Sequence, residues 1–183
     1  LLVEQFGLGH SRGSSHGPAR IIRHSYADPV CARLMPRAFR AWGELETDAG
    51  RSFFIRTGGV SFSPPGVGYV EQVAANLADL DVPLRTMSGD RWNAAQPEFS
   101  LPSDYEVVFE PDAGLLAAAK AMEAQIDLAR RGPSTKVLTE TIVRRIDLEG
   151  TRPTVLTDSK TIEAERLIVT AGSWTGSLVP ELA

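Results

Sequence analysis

The first thirteen residues restrict the fold more than any other stretch of this chain. Leu1-Leu2-Val3-Glu4-Gln5-Phe6 is a short apolar run containing a carboxylate near its end, and Gly7-Leu8-Gly9-His10-Ser11-Arg12-Gly13 follows it. An apolar run of this length bounded by glycine reads as a short buried strand. The glycines are spaced G-x-G-x-x-x-G, one residue longer than the nucleotide-binding fingerprint, and no helical pattern starts at the third of them. The segment therefore reads as a flexible connection that lets the backbone approach a ligand, or as an ordinary loop.

Glu4 gives this strand a chemical reading. In a dinucleotide-binding fold the second parallel strand ends in an acidic residue that hydrogen-bonds the adenosine ribose, about 20 residues after the glycine fingerprint. Glu4 fits that place, with a plain polar strand end as the competing reading. On the first reading the preceding strand and glycine turn would lie upstream of residue 1, so the chain is expected to be a fragment. Beyond the glycines, Arg12-Gly13-Ser14-Ser15-His16-Gly17 leads into Arg20-Ile21-Ile22-Arg23-His24-Ser25-Tyr26. If this segment is helical, His16, Arg20 and Arg23 stand at i, i+4 and i+7 on one face, with His24 beside them. Such a cluster suits a small anion, because a guanidinium holds a carboxylate through two parallel hydrogen bonds. A solvated basic face on a surface helix is the alternative.

The charge of the whole chain makes that cluster a local device. At 183 residues with net charge -4 and pI near 5.4, the chain argues against general nucleic-acid binding. No apolar run is long enough to span a membrane. Cys31 is the only cysteine, which excludes an internal disulfide and a cysteine zinc cage, and it reads as a small packing residue. The histidines His10, His16 and His24 lack the spacing of a metal site.

The remaining pattern alternates helix and strand. Leu34, Met35, Ala38, Phe39, Trp42 and Leu45 mark an amphipathic helix, with Pro36 either in its first turn or at a kink. Ser52 to Phe62 reads as a strand pair broken at Thr57-Gly58-Gly59, and Val70, Val73, Ala74, Leu77 and Leu80 mark a second helix. Ser88 is placed to cap a short segment from Asp90 to Gln96, followed by a strand from Tyr105 to Phe109. Glu110 and Asp112 read as parts of a turn rather than an acid/base pair. Leu115, Leu116, Ala119, Met122, Ile126 and Ala129 mark a third helix, stopped by Arg130-Arg131-Gly132-Pro133. Lys136 to Val143 reads as a strand, Arg152 to Ala164 as a hairpin, and Leu167 to Thr170 as a buried strand delivering Ala171-Gly172 into a turn. A small residue at Gly172 lets the backbone come close to a bound nucleotide.

Taken in order, Leu2-Val3-Glu4, Arg12-Gly13-Ser14-Ser15-His16-Gly17, Arg20-Ile21-Ile22-Arg23-His24-Ser25-Tyr26, Thr57-Gly58-Gly59-Val60, Phe109-Glu110-Pro111-Asp112-Ala113-Gly114 and Leu167-Ile168-Val169-Thr170-Ala171-Gly172-Ser173-Trp174 resemble the monomeric sarcosine oxidase and N-methyl amino acid oxidase family. These are FAD-dependent amine oxidases of the glutathione-reductase-like flavoprotein fold. The resemblance covers essentially the whole chain, and Gly-Ser-Ser-His-Gly with Arg-Ile-Ile-Arg is its most specific part. It implies an α/β fold, α+β overall: a partial FAD-binding Rossmann-like domain with an inserted substrate domain on an antiparallel or mixed sheet. The expected division is 1–53 and 114–183 for the FAD-binding domain and 54–113 for the substrate domain.

The resemblance also implies the chemistry. FAD would take two electrons from the C–N bond of a secondary or N-methyl amino acid, the imine would hydrolyse, and O2 would be reduced to H2O2. Arg23 is expected to hold the substrate carboxylate and Tyr26 to line the pocket. Arg20 would stabilise negative charge at the flavin, and His16 would tune polarity beside it. Glu4, Ser14, Ser15, Val143 and Gly172 are expected to contact the cofactor, the strand at Val143 passing the adenine through backbone groups. No metal, nucleic acid or membrane is expected, and the compartment would be the cytoplasm, or the peroxisome in a eukaryote. The glycine fingerprint, a flavin-linking cysteine region and a C-terminal lysine of relatives are missing from these residues, so this chain by itself is expected to be inactive. The alternative is a non-catalytic α/β module that keeps a carboxylate-binding site without flavin.

Overall fold

The computed structural model describes residues 1–180. In chain order the elements are β1 (Leu2–Val3), β2 (Arg20–Ile22), α1 (Pro29–Ala49), β3 (Phe54–Arg56), β4 (Gly59–Ser63), α2 (Tyr69–Asp79), β5 (Arg85–Ser88), α3 (Gly89–Ala95), β6 (Glu106–Glu110) and β7 (Gly114–Leu116). They continue as α4 (Ala118–Arg131), β8 (Val137–Leu138), β9 (Val143–Asp147), β10 (Thr154–Thr157), β11 (Thr161–Glu163), a 3-10 turn at Gly172–Trp174 and α5 (Thr175–Leu178). Two units divide the chain, one of residues 1–18 with 118–183 and one of residues 19–117. Residues 19–53 thus group by contact with 54–117, whereas the expected division by role set them with residues 1–18.

The unit of residues 19–117 is built on two antiparallel three-stranded sheets, ordered β4-β6-β5 and β2-β7-β3. Helix α2 lays Val70, Val73 and Leu77 against Val108 of β6, with Val82 closing the cluster. Their 3.6-residue spacing puts the three helix residues on one face, which is the face packed on Val108. Helix α1 begins because the Asp28 carboxylate accepts the Val30 N–H at 2.7 Å and Pro29 occupies the first turn. It ends at Gly50, whose φ of 61° satisfies the last carbonyls from the left-handed region. Pro36 lies inside this helix, beyond its first turn, and removes one backbone donor without ending it. Near its end, Glu46 Oε1 accepts the Phe53 and Phe54 N–H groups at 2.6 and 2.8 Å and so fixes the start of β3.

Several expected elements differ. Residues 54–56 and 59–63 are both strands, but they enter different sheets: β3 pairs with β7, and β4 with β6. The Gly58-Gly59 break sends the chain from one sheet to the other, with Gly58 at φ 73°. Leu115 and Leu116 belong to β7, not to the third helix, which starts at Ala118. Pairing on both sides of β7 outweighs their helical spacing. A Cβ on Gly114 would run into the Ile55 carbonyl oxygen and lie 2.8 Å from the Phe54 ring. Gly114→Ala is therefore expected to cost about 1–3 kcal/mol, read as a lower urea midpoint. An unchanged midpoint would show that the neighbouring strand yields freely. The face of this sheet carrying the paired residues Ile21, Leu115 and Ile55 is exposed.

In the unit of residues 1–18 and 118–183, β1 and β8 run parallel, and β9-β10-β11 form an antiparallel sheet. Strand β1 is shorter than the apolar run and not buried, with Leu1 and Leu2 exposed. The expected strand at 136–143 divides, because β8 ends at Leu138 and β9 starts at Val143. The hairpin at 152–164 forms as β10 and β11. Residues 167–170 form no strand, and Ile168 is 85% exposed. A strand exists only through its ladder partner, and no described residue pairs with this segment.

Candidate functional site

The basic motif is extended rather than helical, and this rearranges its side chains. Arg20 opens β2, so Arg20 and Ile22 share one face and Ile21 takes the other. The expected single helical face of His16, Arg20, Arg23 and His24 does not form. Pairing of Arg20, Ile21 and Ile22 with Leu116, Leu115 and Gly114 imposes a period of two where spacing alone also fitted 3.6. Arg20 is exposed and its Nη1 donates to the Ala19 carbonyl at 2.8 Å. Arg23, one residue past the strand, is half-buried with its guanidinium 5.1 Å from the centre of the Tyr26 ring. A cation over an aromatic face is held in direction as well as attracted.

The turn that carries Arg23 and Tyr26 is fixed from three sides. His24 and Ser25 are buried and donate to the Glu110 carboxylate, which is 1% exposed. The Asn76 amide donates to the Tyr26 and Ala27 carbonyls, both at 2.9 Å. The Asp28 cap then locks the entry to α1. The His24 ring also stacks on Phe39 of α1, with centroids 3.9 Å apart and planes 10° from parallel. Burial alone would push the Glu110 carboxyl up. The hydrogen bonds from His24 and Ser25 outweigh this and hold it below the ordinary carboxylate value. His24, expected beside the basic face, instead turns into the interior.

In the other unit, Glu4 follows β1 at the carboxyl end of the parallel pair, where α/β sheets bind ligands. Its Oε1 accepts the Phe6 N–H at 3.0 Å and lies 3.5 Å from His10 Nε2, and the side chain is 30% exposed. Phe6 is ringed by His10 and Trp174 in edge contacts at 4.8 and 5.8 Å and by the Arg12 guanidinium at 4.7 Å. Ser14 and Ser15 stand exposed in a turn, and exposed His16 contacts the Gly13 carbonyl through Nδ1. Val143 opens β9, half-buried, paired with Thr157. Gly172, with φ 56°, starts the 3-10 turn, and nothing lies within 4 Å of where its Cβ would be. The open backbone at Gly172 and the partly exposed carboxylate at a strand end fit the adenosine half of a dinucleotide. No described group of histidine, cysteine and carboxylate could hold a metal ion, and no described helix is long and apolar enough to cross a membrane.

The sequence offers Arg23 for the substrate carboxylate and Tyr26 for the pocket wall, but not the residues behind them. Glu110 had been read as part of a turn, and Phe39 only as core. Nothing local in Phe109-Glu110-Pro111 announces a partner 86 residues away.

A family model for FAD dependent oxidoreductases matches residues 1–183. The chain belongs to this family. It is 33% identical over 187 residues to a monomeric sarcosine oxidase of Bacillus sp. (strain B-0618), a match covering 100% of this chain and 47% of that protein. It is 28% identical over 183 residues to the N-methyl-L-tryptophan oxidase of Yersinia pestis (strain Pestoides F), covering 49% of that protein. The chain thus spans about half the length of these relatives. Among solved structures it superposes on NikD, an unusual amino acid oxidase essential for nikkomycin biosynthesis, with a TM-score of 0.85 and 22% identity over 98% of this chain and 47% of NikD. The mixed α/β architecture is therefore that of FAD-dependent amino acid oxidases, and FAD is the cofactor of the family.

Proposed function

We propose that this chain supplies the substrate-carboxylate site and part of the FAD site of an amine oxidase acting on secondary or N-methyl amino acids, with O2 as electron acceptor. The observation that carries this reading is Arg23, half-buried over Tyr26 on a turn anchored by Glu110 and Asn76. A guanidinium restrained in this way can receive a carboxylate through two parallel hydrogen bonds without first ordering itself. When bound, FAD supplies the two-electron acceptor. Arg23 would fix the amino acid by its carboxylate and so orient the C–N bond, and Tyr26 would wall the pocket and hold Arg23 in direction. Arg20 would offer positive charge where negative charge develops, and His16 would set local polarity. Glu4 would accept a ribose hydroxyl, with Ser14, Ser15, Val143 and Gly172 along the cofactor. In this reading residues 1–53 and 114–183 serve the FAD-binding domain and 54–113 the substrate domain.

The family match and the sarcosine and N-methyl-tryptophan oxidases among the relatives support the substrate class. The test is oxidation of N-methylglycine by the protein translated from its complete reading frame. Two electrons leave the amine and two reduce O2, so one H2O2 is expected per amine oxidised. No peroxide with the flavin bound, from N-methylglycine or from bulkier N-methyl amino acids, would overturn the reading.

A further inference from the structure

We infer that Glu110 is a positioning residue for the carboxylate site, setting the direction in which Arg23 and Tyr26 leave the end of β2. The inference rests on the proposed role of Arg23. Its basis is the bond set of one carboxylate. Oε1 accepts the His24 N–H at 2.9 Å and His24 Nδ1 at 2.6 Å, and Oε2 accepts the Ser25 N–H at 3.1 Å and Ser25 Oγ at 2.8 Å. The His24 N–H also reaches Oε2 at 3.0 Å. Two of these donors are main-chain groups of the residues that directly follow Arg23. They fix the peptide plane through which Arg23 joins the turn, which a side chain bonding only to other side chains could not do. The Tyr26 N–H in turn donates to the His24 carbonyl at 2.8 Å, so the constraint passes to Tyr26 through one further bond.

The anchor is itself held in place. Glu110 ends β6, the central strand of its sheet, and pairs with Gly59 in register. Its carboxylate is buried, and the His24 ring that it orients is clamped flat against Phe39. With Nδ1–H donating to Glu110, His24 is committed to that tautomer for as long as the pair stands. A rigid sheet strand therefore determines where Arg23 sits. Misplacement of a binding group by about 1 Å is enough to lose about 100-fold in rate.

Glu110→Gln preserves volume but replaces one acceptor oxygen with an amide donor facing the donors of His24 and Ser25. In the flavin-loaded protein from the complete reading frame, KM for N-methylglycine is expected to rise about tenfold, with kcat falling less than about threefold. KM for dimethylamine, which has no carboxylate and meets only the Tyr26 wall, should rise far less. The Arg23 Nε–H resonance of the isotope-labelled protein should broaden or shift, while its melting curve still shows one folded transition. Ser25→Ala, which loses only the Oγ bond, should shift the same resonance by less and supplies the comparison if Glu110→Gln does not fold. Equal rises in KM for both amines, or an Arg23 resonance unmoved in both variants, would overturn the positioning role. Failure of the underlying reading looks different, because Arg23→Met would then leave KM for N-methylglycine unchanged whatever happens at Glu110.

Discussion

Replacing Arg23 with methionine is expected to raise KM for N-methylglycine roughly 30- to 150-fold while FAD affinity changes less than about threefold. Truncating one partner of a buried, hydrogen-bonded charge pair costs 2–5 kcal/mol, and a half-buried guanidinium belongs near about 2–3 kcal/mol, which gives that factor. Methionine keeps most of the length and apolar contact of the side chain, so Tyr26 retains a packing partner and the turn has no cavity to fill. The loss should therefore fall on the charge-assisted bonds. Arg23→Lys should recover only part of the affinity, because an ammonium is a point charge and cannot hold a carboxylate through a planar fork. Steady-state kinetics with flavin content measured on the same samples check both statements. Equal loss of substrate and FAD binding would show that Arg23 supports the fold rather than the carboxylate.

The largest effect on stability is expected at Glu110. Glu110→Ala leaves the donors of His24 and Ser25 buried without their acceptor, and at about 1–3 kcal/mol for each buried group left unsatisfied the loss is expected to reach about 3–5 kcal/mol. In a chain of this size that corresponds to a drop in Tm of roughly 10 °C. The pH dependence has a definite sign. The carboxyl is held below its ordinary value of 4.5 in the folded state by the His24 and Ser25 bonds, burial acting the other way. A depressed folded pKa contributes stability that is present above the unfolded value and lost as pH falls through the folded one. The difference in unfolding free energy between the native chain and Glu110→Ala should accordingly be full near neutrality and shrink below pH 4.5. A difference that stays constant across that window would mean that Glu110 does not accept these hydrogen bonds as a carboxylate.

Much of the architecture was legible because its signals are local. The apolar stripe of α2, the Asp28-Pro29 start of α1 and the Arg130-Arg131-Gly132 end of α4 each satisfy a requirement of the helix itself. Strand identity was read less well, because it depends on partners. Leu115 and Leu116 fit a helical repeat but are claimed by β2 and β3 on either side, and residues 167–170 carry strand-forming types without a partner among the described residues. The basic motif shows the same conflict at the site. His16, Arg20 and Arg23 are spaced for one helical face, yet three residues of the segment join a sheet and Arg23 is aimed by a turn instead. Arg23 and Tyr26 stand out in the sequence because their types and order carry a family resemblance. Glu110 reads as part of a turn because a Glu-Pro-Asp-Ala-Gly stretch satisfies a turn on its own terms, and its bonds to His24 and Ser25 arise only when the end of β6 meets the turn that follows β2.

Peroxide release is the most direct measurement, made on the flavin-loaded protein from the complete reading frame with N-methylglycine under air. One H2O2 for each amine consumed is the predicted result, abolished when the amine is withheld. Bound flavin with neither amine consumed nor peroxide formed, for N-methylglycine and for bulkier N-methyl amino acids alike, would contradict the assignment of this chain to amine oxidation.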